Sequence, residues 1–152
     1  MFATAVVALT LLAPARAQSS GVVSAVTPPK TTANRGGVME ARVTVQLRSG
    51  YHVNSNTPAE EYLIPLRLTW TAAPLEVTAT VFPKPKLEKY SFSSQALSVF
   101  TGDFDIVTRL KVPPSIPPGP GVLLGKLRYQ ACNDNSCLPP KTLEVRLPYQ
   151  IQ

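Results

Sequence analysis

Apolar and polar residues alternate along most of this chain. In "VMEARVTVQL", Met39, Ala41, Val43, Val45 and Leu47 are separated by Glu40, Arg42, Thr44 and Gln46. A period of two puts one set on a buried face and the other in water, the signature of a half-buried antiparallel strand. The pattern returns in "IPLRLTW" (Ile64, Leu66, Leu68, Trp70) and "LEVTATVF" (Leu75, Val77, Ala79, Val81). It returns again in "FDIVTRLKV" (Phe104, Ile106, Thr108, Leu110, Val112) and "LEVRLPYQI" (Leu143, Val145, Leu147, Tyr149, Ile151). Shorter candidates are "VVSAV" from Val22, "YHVN" from Tyr51, "LSVF" from Leu97 and "GVLLGKLRYQA" from Gly121. Beyond residue 17 no window carries the 3.6-residue apolar stripe of a helix.

Most of the 16 prolines fall between these runs, as in "TPPK", "FPKPK" and "VPPSIPPGPG". Proline cannot donate to a central ladder, so it marks strand ends and edges. Eight or nine short strands at near-regular spacing predict an all-β fold, an immunoglobulin-like antiparallel β-sandwich. The segment "IPPGPG" is too short for a domain linker, and no internal repeat is present. The expectation is one domain over residues 18–152.

The first 20 residues, "MFATAVVALTLLAPARAQSS", change the picture of where the protein works. Phe2 to Leu12 are almost all apolar, and Ala15-Arg16-Ala17 has the small-x-small form of a cleavage site, although no Lys or Arg precedes the apolar core. Residues 1–17 are therefore read as a signal peptide, since the stretch falls short of the roughly 20 residues that a membrane span needs. About 135 residues remain, enough for one hydrophobic core. The formal charge of the whole chain is +6. Its bases are scattered, and the densest run, "KPKLEK", is broken by a glutamate. Nucleic acid would require a clustered basic stripe with aromatics, so it is set aside as a partner.

"YQACNDNSCLPPK", residues 129–141, holds the only two cysteines. Asn, Asp and Ser are turn formers, so "NDNS" reads as a four-residue hairpin loop between two strands. Such a loop would oppose Cys132 and Cys137, with Cα atoms about 4.5–5.5 Å apart, within the reach of a disulfide. As a staple the bond is weak: closing about six residues gives roughly 2 kcal/mol, against about 4.7 for a hundred-residue loop. Structural zinc requires four Cys or His ligands, and the chain has two Cys and one His. A reversible redox pair and a plain structural crosslink both remain open on spacing alone, because C-x4-C lacks the specificity of C-x-x-C.

That stretch, together with "SGYHVNSNTPAEEYLIPLRL" and "FPKPKLEKYSFSSQALSVFTGDF", resembles the amino-terminal periplasmic domain of the thiol:disulfide interchange protein DsbD, the disulfide bond corrector family. The similarity runs from about Val22 to the end of the chain. It implies an immunoglobulin-like sandwich with a redox-active cysteine pair on one hairpin. Such domains pass electrons from a membrane-embedded thiol reductase to periplasmic thioredoxin-like proteins through mixed disulfides, and no cofactor is implied. Carried over, Cys137 is the interchange cysteine and Cys132 its resolving partner. Because the chain has neither membrane helices nor a thioredoxin-like domain of its own, its electrons would come from a separate membrane partner.

The family also carries a cap loop whose aromatic side chain shields the disulfide until a partner arrives. The matching region is "KYSFSSQALSVF", with Phe92 the first choice for the cap and Tyr90 the second. The strand after Gly50 lines the disulfide in the family, which places His52 and Asn54 there. His52 tempts assignment as a base, but a lone His near a strand end reads first as a partly exposed structural residue. Asp134, beside Cys132, opposes thiolate formation where it is ionised. Pro139 and Pro140 stiffen the second arm of the hairpin. A contrasting reading is a non-catalytic immunoglobulin-like binding module with a permanent hairpin disulfide.

Overall fold

In the computed structural model, which describes residues 17–19 and 21–152, the described residues form strands and no helix. The signal segment expected over residues 1–17 lies, but for its last residue, outside the described residues. One sheet contains β1 (Ala17–Ser19), β2 (Val23–Val26), β4 (Val38–Leu47), β10 (Phe104–Lys111) and β7 (Glu76–Val81), in that spatial order. A second has the order β3 (Thr31–Ala33), β13 (Lys141–Ile151), β11 (Gly119–Tyr129) and β6 (Arg67–Thr71). A third and smaller sheet runs β12 (Ala131–Cys132), β5 (His52–Asn54), β9 (Leu97–Thr101) and β8 (Lys86–Glu88).

The alternation in β4 is the buried face it predicts: Met39, Ala41, Val43 and Val45 are enclosed while Glu40, Arg42 and Gln46 face out. Val43, Val45 and Ile106 of the first sheet pack against Leu68, Leu127, Leu143 and Val145 of the second, forming the sandwich core. Trp70 ties the two layers together, its indole N–H donating to the Thr108 hydroxyl at 2.9 Å. The ring lies against Gly125, where a Cβ would come within 2.6 Å of it. Glycine is required there for close approach rather than for backbone freedom.

The pattern misleads at the sheet margins. Val77 and Val81 of β7 were expected to face inward with Leu75, yet both are exposed on this edge strand, whose register with β10 shifts between Arg109 and Leu110. β3 pairs with β13 in parallel, the one departure from antiparallel pairing among the described strands.

Two corners build the third sheet. After β4 the chain turns at Gly50, with φ at 84°, into β5. Between β9 and β10 it turns at Gly102, with φ at 69°. Both lie in the left-handed region that L side chains rarely adopt. β11 likewise leaves the second sheet at Gln130 and continues as β12 in the third. The tip of the β11–β13 hairpin is thereby carried beside β5, at the end of the sandwich.

Candidate functional site

The turn at residues 132–137 is shaped by its own polar groups. The Asn133 side-chain carbonyl accepts the amides of Asn135 and Ser136, both at 2.9 Å, and the Asn133 amide donates to the Ser136 carbonyl at 2.9 Å. This is the local side-chain-to-backbone bonding for which Asn is favoured in turns. Below the turn the Leu138 amide donates to the Ala131 carbonyl at 2.8 Å, and the Gln130 side-chain amide donates to the Leu138 carbonyl at 3.3 Å.

Within this frame Cys132 and Cys137 are joined by a disulfide of 2.03 Å. Their Cα atoms are 3.9 Å apart, closer than opposed strand residues usually stand, and the two cysteines form an isolated bridge at the mouth of the turn. The two sulfurs' residues differ in access. Cys132 is 0% exposed, whereas Cys137 lies on the surface.

β5 borders the pair, with Cys132 opposite His52 and Ala131 opposite Val53. All three residues of β5 are buried. The expectation of a partly exposed His52 is corrected by the structure: it is 2% exposed, because the Tyr90 ring stacks on it at 3.9 Å between centroids. Phe92 adds a third near-parallel ring, 5.6 Å from Tyr90 and 6.4 Å from His52. Tyr90 is the buried member of the loop pair and packs with Leu63, Leu97 and Val99, while Phe92 is 39% exposed. The two aromatics therefore occupy different depths in the loop after β8.

Polar contacts from Tyr90, Lys89 and Ser91 help to hold this loop. The Tyr90 hydroxyl donates to the Glu88 carboxylate at 2.7 Å. The Lys89 ammonium donates to the Ser94 carbonyl. The Ser91 hydroxyl donates to the Asp134 carbonyl at 2.7 Å, which fastens the aromatic loop to the cysteine turn itself. Glu88 and Ser91 escaped sequence reading, since nothing in "KLEKYS" marks them apart from other surface polar residues.

A groove of about 440 Å³ opens beside the turn, lined by Arg48, Tyr51, His52, Glu88, Tyr90 and Asp134 among others. Burial pushes the His52 imidazole below its ordinary value, opposed in part by the charges of Glu88 and Asp134. Burial first, then the bond to Glu88, drives the Tyr90 phenol well above its ordinary range. Asn54 donates to the Ile64 carbonyl at 3.0 Å, so it holds the loop before β6 rather than the cysteine turn. Two buried side-chain atoms among the described residues lack a hydrogen-bond partner, Nε2 of His52 and Oδ1 of Asn54. No group of three or more His, Cys, Asp or Glu converges as metal ligands among the described residues.

Comparison with solved structures finds the fold in the N-terminal periplasmic domain of ScsB from Proteus mirabilis. That match has a TM-score of 0.57 and 17% identity, covering 83% of this chain and 47% of the other. The chain thus spans about half the length of that relative. The Neisseria meningitidis DsbD N-terminal domain in the reduced form matches with a TM-score of 0.47 and 16% identity, over 74% of this chain and 82% of the other. Comparison with curated proteins returned no match. The family model for the N-terminal region of thiol:disulfide interchange protein DsbD matches residues 23–148, which include the core strands, the aromatic loop and both cysteines. With that match over most of its length, an all-β sandwich and a disulfide at the tip of one hairpin, the chain belongs to the DsbD N-terminal domain family.

Proposed function

We infer that this chain is a periplasmic thiol–disulfide interchange domain, exported by a signal peptide over residues 1–17 and working as the single domain 18–152. In the reduced state the Cys137 thiolate attacks a sulfur of an acceptor protein's disulfide, and a mixed disulfide forms as one acceptor sulfur leaves. Cys132 then attacks the Cys137 sulfur, reforming the internal bond and releasing the acceptor as a dithiol. The acceptors are thioredoxin-like periplasmic proteins, and a membrane-embedded thiol reductase returns two electrons to the pair. Phe92 and Tyr90 form the cap over the disulfide, with His52 and Asn54 on the strand beside it.

The observation that carries this reading is the asymmetry of the pair. Exchange needs one sulfur open to in-line attack and a second held within bonding distance yet shielded from outside partners. Exposed Cys137 joined to enclosed Cys132 at a short turn supplies both. A permanent crosslink needs no such difference, and a six-residue loop contributes little as a staple.

The test is a redox titration. The purified protein is equilibrated in graded ratios of reduced to oxidised dithiothreitol, and its free thiols are counted by alkylation and mass. A pair that is half-reduced above about −300 mV, where structural disulfides of secreted proteins stay closed, supports interchange. A pair that stays closed in millimolar dithiothreitol leaves the binding module instead.

A further inference from the structure

His52 is the sole histidine of the chain, and the exchange reaction written above gives it no task. Three observations meet on it. It is the cross-strand partner of Cys132 in the β5–β12 pair. Directly opposed residues of an antiparallel pair project from the same face, with Cβ atoms about 4.5–5.5 Å apart. Both residues are enclosed, His52 at 2% and Cys132 at 0% exposure. Nε2 of His52 has no hydrogen-bond partner in the disulfide-bonded state. A buried ring nitrogen left without a partner is destabilising, and a role in another state of the protein accounts for it.

Resolution of the mixed disulfide is that state. Cys132 must lose a proton before it attacks, because the thiolate is the nucleophile. An enclosed thiol has no bulk water to take that proton. Resting on the interchange reading, the geometry points to His52 as the proton acceptor for Cys132 in the resolving step. In its Nδ1–H tautomer the imidazole takes the thiol proton at Nε2, and the Cys132 sulfur bonds to the Cys137 sulfur. The bond between Cys137 and the acceptor then breaks with its electron pair on the acceptor sulfur, which takes up a proton from the imidazolium or from water. No outside oxidant or reductant enters, since the two electrons pass from the dithiol to the acceptor.

The surroundings suit a base that is neutral at rest and charged only in passing. Burial disfavours the imidazolium, while the carboxylates of Glu88 on β8 and Asp134 in the cysteine turn favour it. Tyr90 covers the ring face, its hydroxyl already committed to Glu88. On the β9 side His52 pairs with Thr101, whose hydroxyl accepts the Lys86 ammonium at 2.9 Å, and Arg48 lies across the groove. Burial is the largest of these influences, so the ring rests in the accepting form.

The experiment mixes reduced protein with dithiobis-nitrobenzoate and follows release of coloured thionitrobenzoate by stopped flow. The first equivalent reports attack by one thiol on the reagent, and the second reports resolution by its partner. In the wild type the second-phase rate is expected to hold nearly level from about pH 8 down to about pH 6.5, then fall as the imidazole protonates. In His52→Gln, the ratio of second-phase to first-phase rate is expected to drop at least tenfold, with the level region replaced by a fall of about tenfold per pH unit. A second-phase profile in the wild type that already falls tenfold per unit through this range overturns the assignment without any variant. So does a His52→Gln ratio equal to the wild type's. If the reduced protein releases no thionitrobenzoate at all, the interchange reading fails and the base assignment goes with it, an outcome distinct from the first two.

Discussion

Cys132 and Cys137 share one bond and opposite environments, the first sealed beneath the turn and the second at the surface. Reaction with a large partner is therefore expected at one sulfur only. Cys132→Ser should trap mixed disulfides through Cys137 with thioredoxin-like proteins, and Cys137→Ser should trap at least tenfold less, because access limits exchange as much as thiol acidity does. Non-reducing gels followed by mass spectrometry measure the ratio. Equal trapping by the two variants removes the assignment of roles.

The Ser91 hydroxyl, donating to the Asp134 carbonyl, joins the aromatic loop to the cysteine turn. Ser91→Ala should leave global stability within about 1 kcal/mol, as expected for an exposed neutral hydrogen bond. The disulfide should nevertheless be reduced by dithiothreitol about two to ten times faster, since freeing the loop exposes the sulfurs more often. Reduction rates at equal midpoint of urea unfolding separate the local effect from the global one. An unchanged rate would mean that the loop does not gate access.

Gly125→Ala drives a methyl group into the Trp70 ring, which its bond to Thr108 prevents from swinging clear. Overpacking of this kind costs about 1–3 kcal/mol. The urea midpoint should fall with its slope unchanged, and the cysteine chemistry should persist at temperatures where the variant is folded. A loss below about half a kcal/mol would show that the indole repacks freely.

Burial of His52 as a neutral group makes stability depend on pH. Its folded value lies below the unfolded one of about 6.5, so below that pH the unfolded chain takes up a proton that the folded chain resists. Stability should therefore be fully present above about pH 6.5 and decline as pH falls toward the folded value. The slope is bounded by one proton, about 1.4 kcal/mol per pH unit. Urea midpoints of wild type and His52→Gln between about pH 7 and 5 should converge as pH falls. Parallel curves would show that the ring protonates in place without penalty.

The long strands were legible because one physical rule governs them. β4, β10, β11 and β13 each have one face on the core and one in water, so alternation in the sequence marks both the strand and its buried side. The rule fails where its premise fails. β7 is an edge strand whose Val77 and Val81 find no covering layer, and β8 and β3 are three residues long with no room for a period. β5 and β9 are buried on both faces, so their sequences do not alternate in burial. That is also why the burial of His52 was not foreseen. Its cover comes from Tyr90, 38 residues away in the chain, and only packing brings the two rings together. The cysteine turn was readable from "NDNS", whereas Glu88 and Ser91 owe their positions to the third sheet. Of the two candidate cap aromatics, the sequence favoured Phe92, and the structure puts Tyr90 against the site's buried strand.

The β11–β13 hairpin is held by eleven consecutive facing pairs, from Gly119 opposite Ile151 to Tyr129 opposite Lys141. That ladder stops just short of the sulfurs and is complete without the bond between them. Opening of the crosslink is therefore expected to leave the scaffold's shape intact, so that a reduced and an oxidised copy would show almost the same outline. On the interchange reading, discrimination between electron donor and electron acceptor would then reside in the few residues around the tip.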